Sequence, residues 1–183
     1  MNYGIIMAGF GGQGVMSMGQ VICYAGLDEG REVSWLPSYG PEMRGGTANC
    51  MVVVSDEPVG SPIVSRPDAL IIMNRPSLDK FEPTLKPGGV LVLNTSMCDK
   101  EPARRDIKVV KVPATDLASE LGDIRVANMV ALGAFLAVVP LVRPESVVEA
   151  LRKNLPAHHQ KLVPLNQRAL EVGAAKAREQ VSA

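Results

Sequence analysis

The stretch Gly9-Phe10-Gly11-Gly12-Gln13-Gly14 decides the fold that we expect for this chain. It follows an apolar run over residues 3–8 and precedes a segment with helical spacing. A G-x-G-x-x-G turn between a strand and a helix presents backbone N–H groups and a helix N-terminus to an anion. We therefore predict a strand, a turn and a helix, with an anion or cofactor contact at Gly9, Gly11, Gly12 and Gly14. A purely structural tight turn is the alternative.

Apolar segments on either side of this turn extend the prediction to the whole chain. The predicted strands are 4–8, 32–36, 48–55, 69–73, 90–93 and 107–112, and the predicted helices are 14–29, 77–81, 115–121, 126–139, 145–154 and 159–180. Several strands are unbroken apolar runs, which indicates cover on both faces. The predicted fold is α/β: a three-layer α/β/α arrangement around a mostly parallel, Rossmann-like sheet, with a helical C-terminal third.

Length and composition limit the classes of protein. The 183 residues suit one domain, residues 1–183, and 19 basic residues balance 19 acidic ones, so neither nucleic acid nor an anionic membrane is favoured as a partner. Residues 126–142 carry no charge, but the run is short for a membrane span and Pro140 interrupts it, so we predict a helix enclosed by the domain or by a neighbouring subunit.

The cysteines and histidines give no pattern of a metal site. Cys23, Cys50 and Cys98 are odd in number and lack C-x-x-C spacing, which predicts reduced thiols and a cytoplasmic location without a secretion signal. His158 and His159 are adjacent, so on a helix they point in different directions. No metal ligand set and no complete catalytic group of residues is expected, and the chain looks like part of an enzyme.

The end of the second strand argues against a dinucleotide site. In the dinucleotide-binding fingerprint, a carboxylate that binds ribose follows the glycines by about 20 residues. Here the chain reads Val33-Ser34-Trp35-Leu36, whereas Asp28 and Glu32 come too early. A free-standing nicotinamide- or flavin-binding oxidoreductase is therefore the alternative function rather than the first one. A plain interaction module without any ligand is a third.

The segment 37–46 is predicted to be a shaped functional loop. It holds two prolines and three glycines together with Tyr39, Glu42 and Arg44. Loops with such a constrained backbone often carry function, and an Arg guanidinium suits a phosphate or carboxylate. The alternative is an ion pair between Glu42 and Arg44 that faces solvent.

Polar residues follow two further predicted strands. Asn74 and Ser77 follow one, and Asn94 and Ser96 follow the other. Ligands of parallel sheets bind beyond the carboxyl ends of the strands, so Asn74 and Asn94 are candidate cofactor contacts. Such residues also cap helices and turns routinely, and that reading stays open.

Four stretches together resemble one known family. They are the run 9–14, the loop Trp35-Leu36-Pro37-Ser38-Tyr39-Gly40-Pro41-Glu42-Met43-Arg44-Gly45-Gly46-Thr47-Ala48, the string Ser55-Asp56-Glu57-Pro58-Val59-Gly60-Ser61-Pro62, and Arg125-Val126-Ala127-Asn128-Met129. Over about residues 3–172 the chain resembles the gamma subunit of 2-oxoacid:ferredoxin oxidoreductases. The loop is more specific to that family than the glycine turn.

The resemblance implies a subunit of an enzyme that oxidatively decarboxylates a 2-oxo acid, reduces ferredoxin and releases an acyl-CoA. It places thiamine diphosphate, magnesium and iron–sulfur clusters in alpha, beta and ferredoxin-like delta partner subunits. For this chain it implies assembly and enclosure of the active site, with possible coenzyme A contact. Gly9, Gly11, Gly12, Gly14, Tyr39, Glu42 and Arg44 would form the surface that meets the alpha subunit or coenzyme A. The isolated chain is expected to be inactive, and its self-association is left open.

Overall fold

A computed structural model describes residues 1–40 and 46–182. These residues form six strands and six α-helices. The strands are β1 (Asn2–Phe10), β2 (Glu32–Tyr39), β3 (Thr47–Ser55), β4 (Ala69–Ile72), β5 (Val90–Asn94) and β6 (Lys108–Val112). The helices are α1 (Val15–Asp28), α2 (Arg75–Phe81), α3 (Ala114–Glu120), α4 (Ala127–Val138), α5 (Pro144–Asn154) and α6 (Val163–Val181). The predicted α/β class and the helical C-terminal third are confirmed.

The six strands form one sheet in the order β2-β3-β1-β4-β5-β6. β1, β4, β5 and β6 are parallel, and β3 is antiparallel to both β1 and β2. Five strands therefore run in one direction, so the mostly parallel sheet is confirmed. The insertion of β3 between β1 and β2 separates the ends of those two strands, which are neighbours in a dinucleotide-binding sheet.

Alternation along the strands divides the core between the two faces of the sheet. In β1, Ile5 and Met7 belong to a large apolar cluster that includes residues of α1, α3, α4, α5 and α6. Ile6 and Ala8 belong to a smaller cluster on the opposite face, with Leu78 of α2. Both faces are covered, which explains the unbroken apolar strands, but most of the helices lie on one side.

The apolar helix α4 lies inside the larger cluster. Its residues 127–136 are buried, while Ala137 and Val138 are half-buried. The domain itself therefore encloses residues 127–136, and cover of the last residues of the helix by a neighbouring subunit stays a prediction. None of the helices in the described residues is long and apolar enough to cross a membrane.

The loop begins later than the predicted residue 37, because Pro37 to Tyr39 continue β2. Gly40 N donates a hydrogen bond to Thr47 O at 2.8 Å, which makes Gly40 and Thr47 a hydrogen-bonded pair. Hydrogen-bonded and non-hydrogen-bonded pairs alternate along antiparallel strands, so Pro37 is in a non-hydrogen-bonded pair with Cys50. Its backbone therefore points to the side of β2 that has no neighbouring strand. Proline is tolerated there because no ladder hydrogen bond needs its missing N–H.

Candidate functional site

The predicted site residues that the structure describes share one edge of the sheet. We call it the carboxyl edge: the edge at which Phe10, Tyr39, Ile72, Asn94 and Val112 end the five strands of common direction. The register places Gly9 opposite Ala48, and Ala48 opposite Tyr39. The glycine turn, Tyr39, Asn74 and Asn94 therefore all lie at this edge.

The glycine turn joins β1 to α1 and has the predicted place in the fold. Gly14 is the N-cap of α1 with φ 73°, a left-handed conformation that side chains other than glycine rarely adopt. Gly9 is needed for packing, since a Cβ there would lie 2.6 Å from Gln13 Oε1 and 2.8 Å from Met73 Cβ. The backbone of this turn is thus compact and closely packed.

The turn and the β2–β3 hairpin contact each other at this edge. Gly11 N donates a hydrogen bond to Gly46 O at 2.8 Å. Tyr39, at the end of β2, is 71% exposed and is therefore available to another molecule. Glu42 and Arg44, the two predicted charged site residues, lie outside the described residues.

Two amide side chains that are not among the predicted site residues hold the turn in place. Gln13 Oε1 accepts from Phe10 N at 2.7 Å, and its Nε2 donates to Met73 O at 3.2 Å. Asn128, at the start of α4, donates from Nδ2 to Gly14 O at 3.1 Å. The sequence signal for Asn128 was its position as a lone amide in an apolar helix.

Asn74 caps α2 and has an unused donor. Its Oδ1 accepts from Ser77 N at 3.0 Å, as expected of an N-cap. The side chain is fully buried, and its Nδ2 finds no acceptor among the described residues. A buried donor without a partner is costly. Capping therefore accounts for the oxygen of this amide but not for its nitrogen.

Asn94, in contrast, is fully engaged within the chain. Its Oδ1 accepts from Ala114 N at 3.0 Å and Ser96 N at 3.3 Å. Its Nδ2 donates to Thr115 Oγ1 at 3.1 Å and Met73 O at 3.3 Å. These bonds tie the end of β5 to the start of α3, so the contacts of Asn94 are those of a capping residue.

Exposed arginines near this edge are paired with aspartates. Arg75 Nη1 lies 3.4 Å from Asp99 Oδ1, and Arg125 Nη2 lies 2.7 Å from Asp123 Oδ2. The side chain and backbone of Arg125 both donate to Asp123, which lowers the pKa of that carboxyl. Both arginines remain more than half exposed and could meet a further anion.

The three thiols are buried, and burial raises the pKa of each. Burial, together with the neighbouring Cys50, raises the pKa of the Cys23 thiol to about 12. Burial also raises the pKa of Cys50 to about 12 and raises that of Cys98. Within residues 1–40 and 46–182, no three His, Cys, Asp or Glu side chains are grouped as metal ligands.

A groove of about 390 Å³ lies elsewhere, between α4, α5 and α6. Leu136, Val148 and Leu170 contribute to its wall, and Arg152 and Arg178 lie beside them. None of the predicted site residues that the structure describes lines it. We place the candidate site at the carboxyl edge because the glycine turn is hydrogen-bonded to the hairpin there. The amide nitrogen of Asn74, which has no acceptor among the described residues, lies at the same edge.

Comparison with known proteins identifies the family. Residues 4–176 match the pyruvate ferredoxin/flavodoxin oxidoreductase family. The ketoisovalerate oxidoreductase subunit VorA of Methanothermobacter marburgensis is 42% identical over 174 residues, which are 94% of this chain. The match covers 36% of VorA, so this chain spans only about a third of the length of that relative.

Two solved structures have the same fold. The gamma subunit of a keto/oxoacid ferredoxin oxidoreductase from Geobacter sulfurreducens superposes with a TM-score of 0.83 at 31% identity, covering 97% of this chain and 99% of that one. The 2-oxoglutarate:ferredoxin oxidoreductase of Magnetococcus marinus, with 2-oxoglutarate, coenzyme A and succinyl-CoA bound, gives a TM-score of 0.88 at 26% identity, covering 97% of this chain and 31% of that one.

The predicted resemblance is thereby confirmed across almost the whole chain, including the glycine turn, the hairpin and the start of α4. The chain belongs to the pyruvate ferredoxin/flavodoxin oxidoreductase family, and it is similar along its length to a gamma subunit of that family.

Proposed function

We propose that this chain is the gamma subunit, or the gamma domain, of a 2-oxoacid:ferredoxin oxidoreductase. The assembled enzyme would oxidatively decarboxylate a 2-oxo acid, form an acyl-CoA and pass the electrons to ferredoxin. The family match and the two solved relatives support this reading. The nature of the 2-oxo acid would be set by the partners, since the relatives differ in the substrate that they are named for.

The partners would be alpha and beta subunits and, in some arrangements, a ferredoxin-like delta subunit. They would hold thiamine diphosphate, magnesium and the iron–sulfur clusters, and the complex would work in the cytoplasm. This chain offers three separate buried thiols whose pKa burial raises, which are poor ligands because a metal binds the thiolate. Its own contribution would be assembly and enclosure of the site at which coenzyme A reacts.

The hydrogen bond from Gly11 N to Gly46 O is the observation that supports this role most directly. It joins the glycine turn to the β2–β3 hairpin. It sets the turn beside the hairpin whose loop contains Glu42 and Arg44. Backbone N–H groups at the start of α1 and an arginine on that loop are the donors that a phosphate of coenzyme A requires. The exposed ring of Tyr39 would contact the same ligand or the alpha subunit.

The unused Nδ2 donor of Asn74 lies beneath the same surface. A buried donor that lacks an acceptor costs about 1 to 3 kcal/mol, so a rearrangement of this edge on binding that gave the amide an acceptor would be stabilising. Asn94 already uses its amide fully within the chain, so we assign it a supporting role at the end of β5.

The alternative of a free-standing dinucleotide-binding oxidoreductase fits less well. β3 separates the end of β2 from the glycine turn, so a carboxylate at the end of β2 would not lie in the neighbouring position that ribose binding uses. Among the described residues, β2 ends in Pro37, Ser38 and Tyr39, which carry no carboxylate.

The experiment compares Arg44→Ala and wild type in the assembled complex. A hydrogen bond to a charged group is worth about 1.5 to 3 kcal/mol, so loss of a coenzyme A contact should raise the apparent KM for coenzyme A by about 10- to 150-fold. Decarboxylation without coenzyme A should change little. Arg66→Ala is the control, because Arg66 lies near the start of β1, at the opposite edge, and is exposed.

Gel filtration of the same variants separates coenzyme A binding from subunit docking. A complex that dissociates at moderate salt, with an unchanged response to coenzyme A in the intact fraction, would assign Arg44 to a partner subunit. If the Arg44 variant behaved as wild type in both measurements, Arg44 would have no role in binding or assembly. The alternative of an ion pair between Glu42 and Arg44 that faces solvent would then be correct.

A further inference from the structure

Asn128 is a buried amide on a helix that otherwise presents apolar side chains. Every residue from Ala127 to Leu136 is buried, and Asn128 is the one polar side chain among them. A buried amide lowers stability unless its donors and acceptor find partners. The reason for Asn128 should therefore lie in the group that it contacts.

That group is the glycine turn, which is distant in the sequence. Asn128 Nδ2 donates to Gly14 O at 3.1 Å, and its Oδ1 accepts from Met129 N at 2.8 Å. Gly14 O also accepts from Met18 N at 3.0 Å, the first helical hydrogen bond of α1. Asn128 therefore adds a second hydrogen bond to the carbonyl that starts the helix.

The fit between Asn128 and Gly14 is close. A Cβ at Gly14 would lie 2.4 Å from Asn128 Nδ2, so only glycine allows the amide to approach. Gly14 also has φ 73°, which glycine adopts at little cost. From the other side, Gln13 bonds Phe10 N and Met73 O and so fixes the turn to β1 and to the end of β4.

From this geometry we propose that Asn128 is a positioning residue for the glycine turn. Through its bond to Gly14 O it fixes the start of α1, and hence the free N–H groups there, in the orientation that meets coenzyme A. The inference rests on the proposed function, because it takes coenzyme A as the molecule that the turn meets. Beyond the proposed function, α4 of the helical layer would hold the glycine turn in the conformation that binds coenzyme A.

The test replaces Asn128 in the assembled complex. Asn128→Ala removes the donor, and Asn128→Leu removes it while filling the space of the side chain. Asn166→Ala is the control, because half-buried Asn166 in α6 also donates from Nδ2 to a backbone carbonyl, Leu162 O, at 2.8 Å.

Two readouts are compared for each variant. Hydrogen exchange of the amides of residues 9–18 should become faster in both Asn128 variants and stay unchanged in Asn166→Ala. The apparent KM for coenzyme A should rise by about 3- to 10-fold, as expected when one neutral hydrogen bond no longer orients the turn. The kcat at saturating coenzyme A should stay within about twofold, which general unfolding would not allow.

The outcomes distinguish the inference from the proposed function. Unchanged exchange in residues 9–18 of both Asn128 variants would overturn the positioning role. Faster exchange with an unchanged KM for coenzyme A, while Arg44→Ala raises that KM, would overturn the positioning role and leave the proposed function in place. If neither Arg44→Ala nor the Asn128 variants raised that KM, the coenzyme A contact itself would be wrong, and the inference would fail with it.

Discussion

Gly9 and Gly14 of the glycine turn lack a side chain for different physical reasons. A Cβ at Gly9 would lie too close to Gln13 and Met73, whereas Gly14 has a left-handed φ of 73° and lies against Asn128. Asn74 and Asn94 were each open to two interpretations, and their hydrogen bonds to Ser77 N and Ala114 N are those of caps. Asn128 was part of the family resemblance but was not a predicted contact, because its partner Gly14 is 114 positions away in the sequence.

Asn74 allows capping to be separated from binding. Asn74→Ser keeps an oxygen that can cap α2 and removes the buried amide donor, and Ser is about as good an N-cap as Asn. We expect the free energy of unfolding of the isolated chain to stay about the same, because the unpaired amide donor is replaced by a hydroxyl whose proton can rotate towards a nearby acceptor. In the complex, the same change should weaken the coenzyme A response or the association of the subunits.

Asn74→Ala is the control for Asn74→Ser, since it removes the cap as well and should lower stability by about 1 kcal/mol. Urea unfolding of the chain and titration of the complex with coenzyme A provide the two measurements. A serine variant that behaves as wild type in both would show that the amide donor of Asn74 has no external acceptor.

Among the secondary-structure elements, all six predicted helices and all six predicted strands are present in the structure. The apolar spacing found α1, α5 and the run that became α4 within a few residues. The last helix was predicted from residue 159, but α6 begins at Val163 after a 3₁₀ segment at 157–162. Pro164 lies in the first turn of α6, where proline is favoured, and the periodic pattern alone did not place that start.

The packing of α4 against α6 depends on two glycines. A Cβ at Gly133 would lie 2.0 Å from Leu170 O, and a Cβ at Gly173 would lie 1.8 Å from Val130 O. The obstacle is backbone in both places, so no side-chain rotation can relieve it. The backbones of the two helices therefore approach each other as closely as glycine permits.

Gly173→Ala should destabilise the chain although alanine is the better helix former. The gain in helix propensity is about 1 kcal/mol. Forcing the helices apart costs about 3 kcal/mol, the upper end for overpacking, because the obstacle is backbone, so we expect a net loss of about 2 kcal/mol in the free energy of unfolding. Gly60→Ala is the control, because a Cβ there meets no atom within 4 Å. Equal stability of the Gly173 variant and wild type in urea would contradict the close crossing.

Glu29 links the end of α1 to the start of α5. Its Oε1 accepts from Arg143 N at 2.7 Å, and Arg143 Nε lies 3.4 Å away. Burial raises the pKa of Glu29, but hydrogen bonds from Ser146 and Arg143 outweigh burial, and the pKa lies below its ordinary value. The ionised form therefore stabilises the fold, and this contribution is lost as pH falls through the folded pKa.

Glu29→Gln should consequently change the acid dependence of stability. We expect the variant to be less stable than wild type at neutral pH by about 0.5 to 1.5 kcal/mol, the worth of one hydrogen bond. The difference should shrink between roughly pH 5 and pH 3, because wild type alone loses the carboxylate there. Urea unfolding across this range measures it, and a difference that is constant with pH would refute the assignment.

For the whole molecule, the class of fold was predictable and the strand order was not. Unbroken apolar strands such as β4 indicated a sheet covered on both faces, and that is what the two core clusters show. Hydrophobic patterns do not encode which strands are neighbours, so the antiparallel insertion of β3 between β1 and β2 was missed. That insertion brings the β2–β3 hairpin beside the glycine turn and so creates the candidate site.

The uneven layers of the molecule suit a subunit of a larger assembly. Five of the six described helices pack on one face of the sheet, and α2 with its neighbouring loops covers the other. Several apolar side chains remain exposed, among them Tyr39 and Ile124 near the carboxyl edge. We expect this edge to be protected from hydrogen exchange in the complex but not in the isolated chain.

The most direct test is the reduction of a viologen dye that depends on both a 2-oxo acid and coenzyme A. The complex that co-purifies with this chain from its native source should catalyse it, whereas the isolated chain should not. Adding the isolated chain to partner subunits that lack it should restore the activity. Turnover by the chain alone, or a native complex without any such activity, would contradict the account.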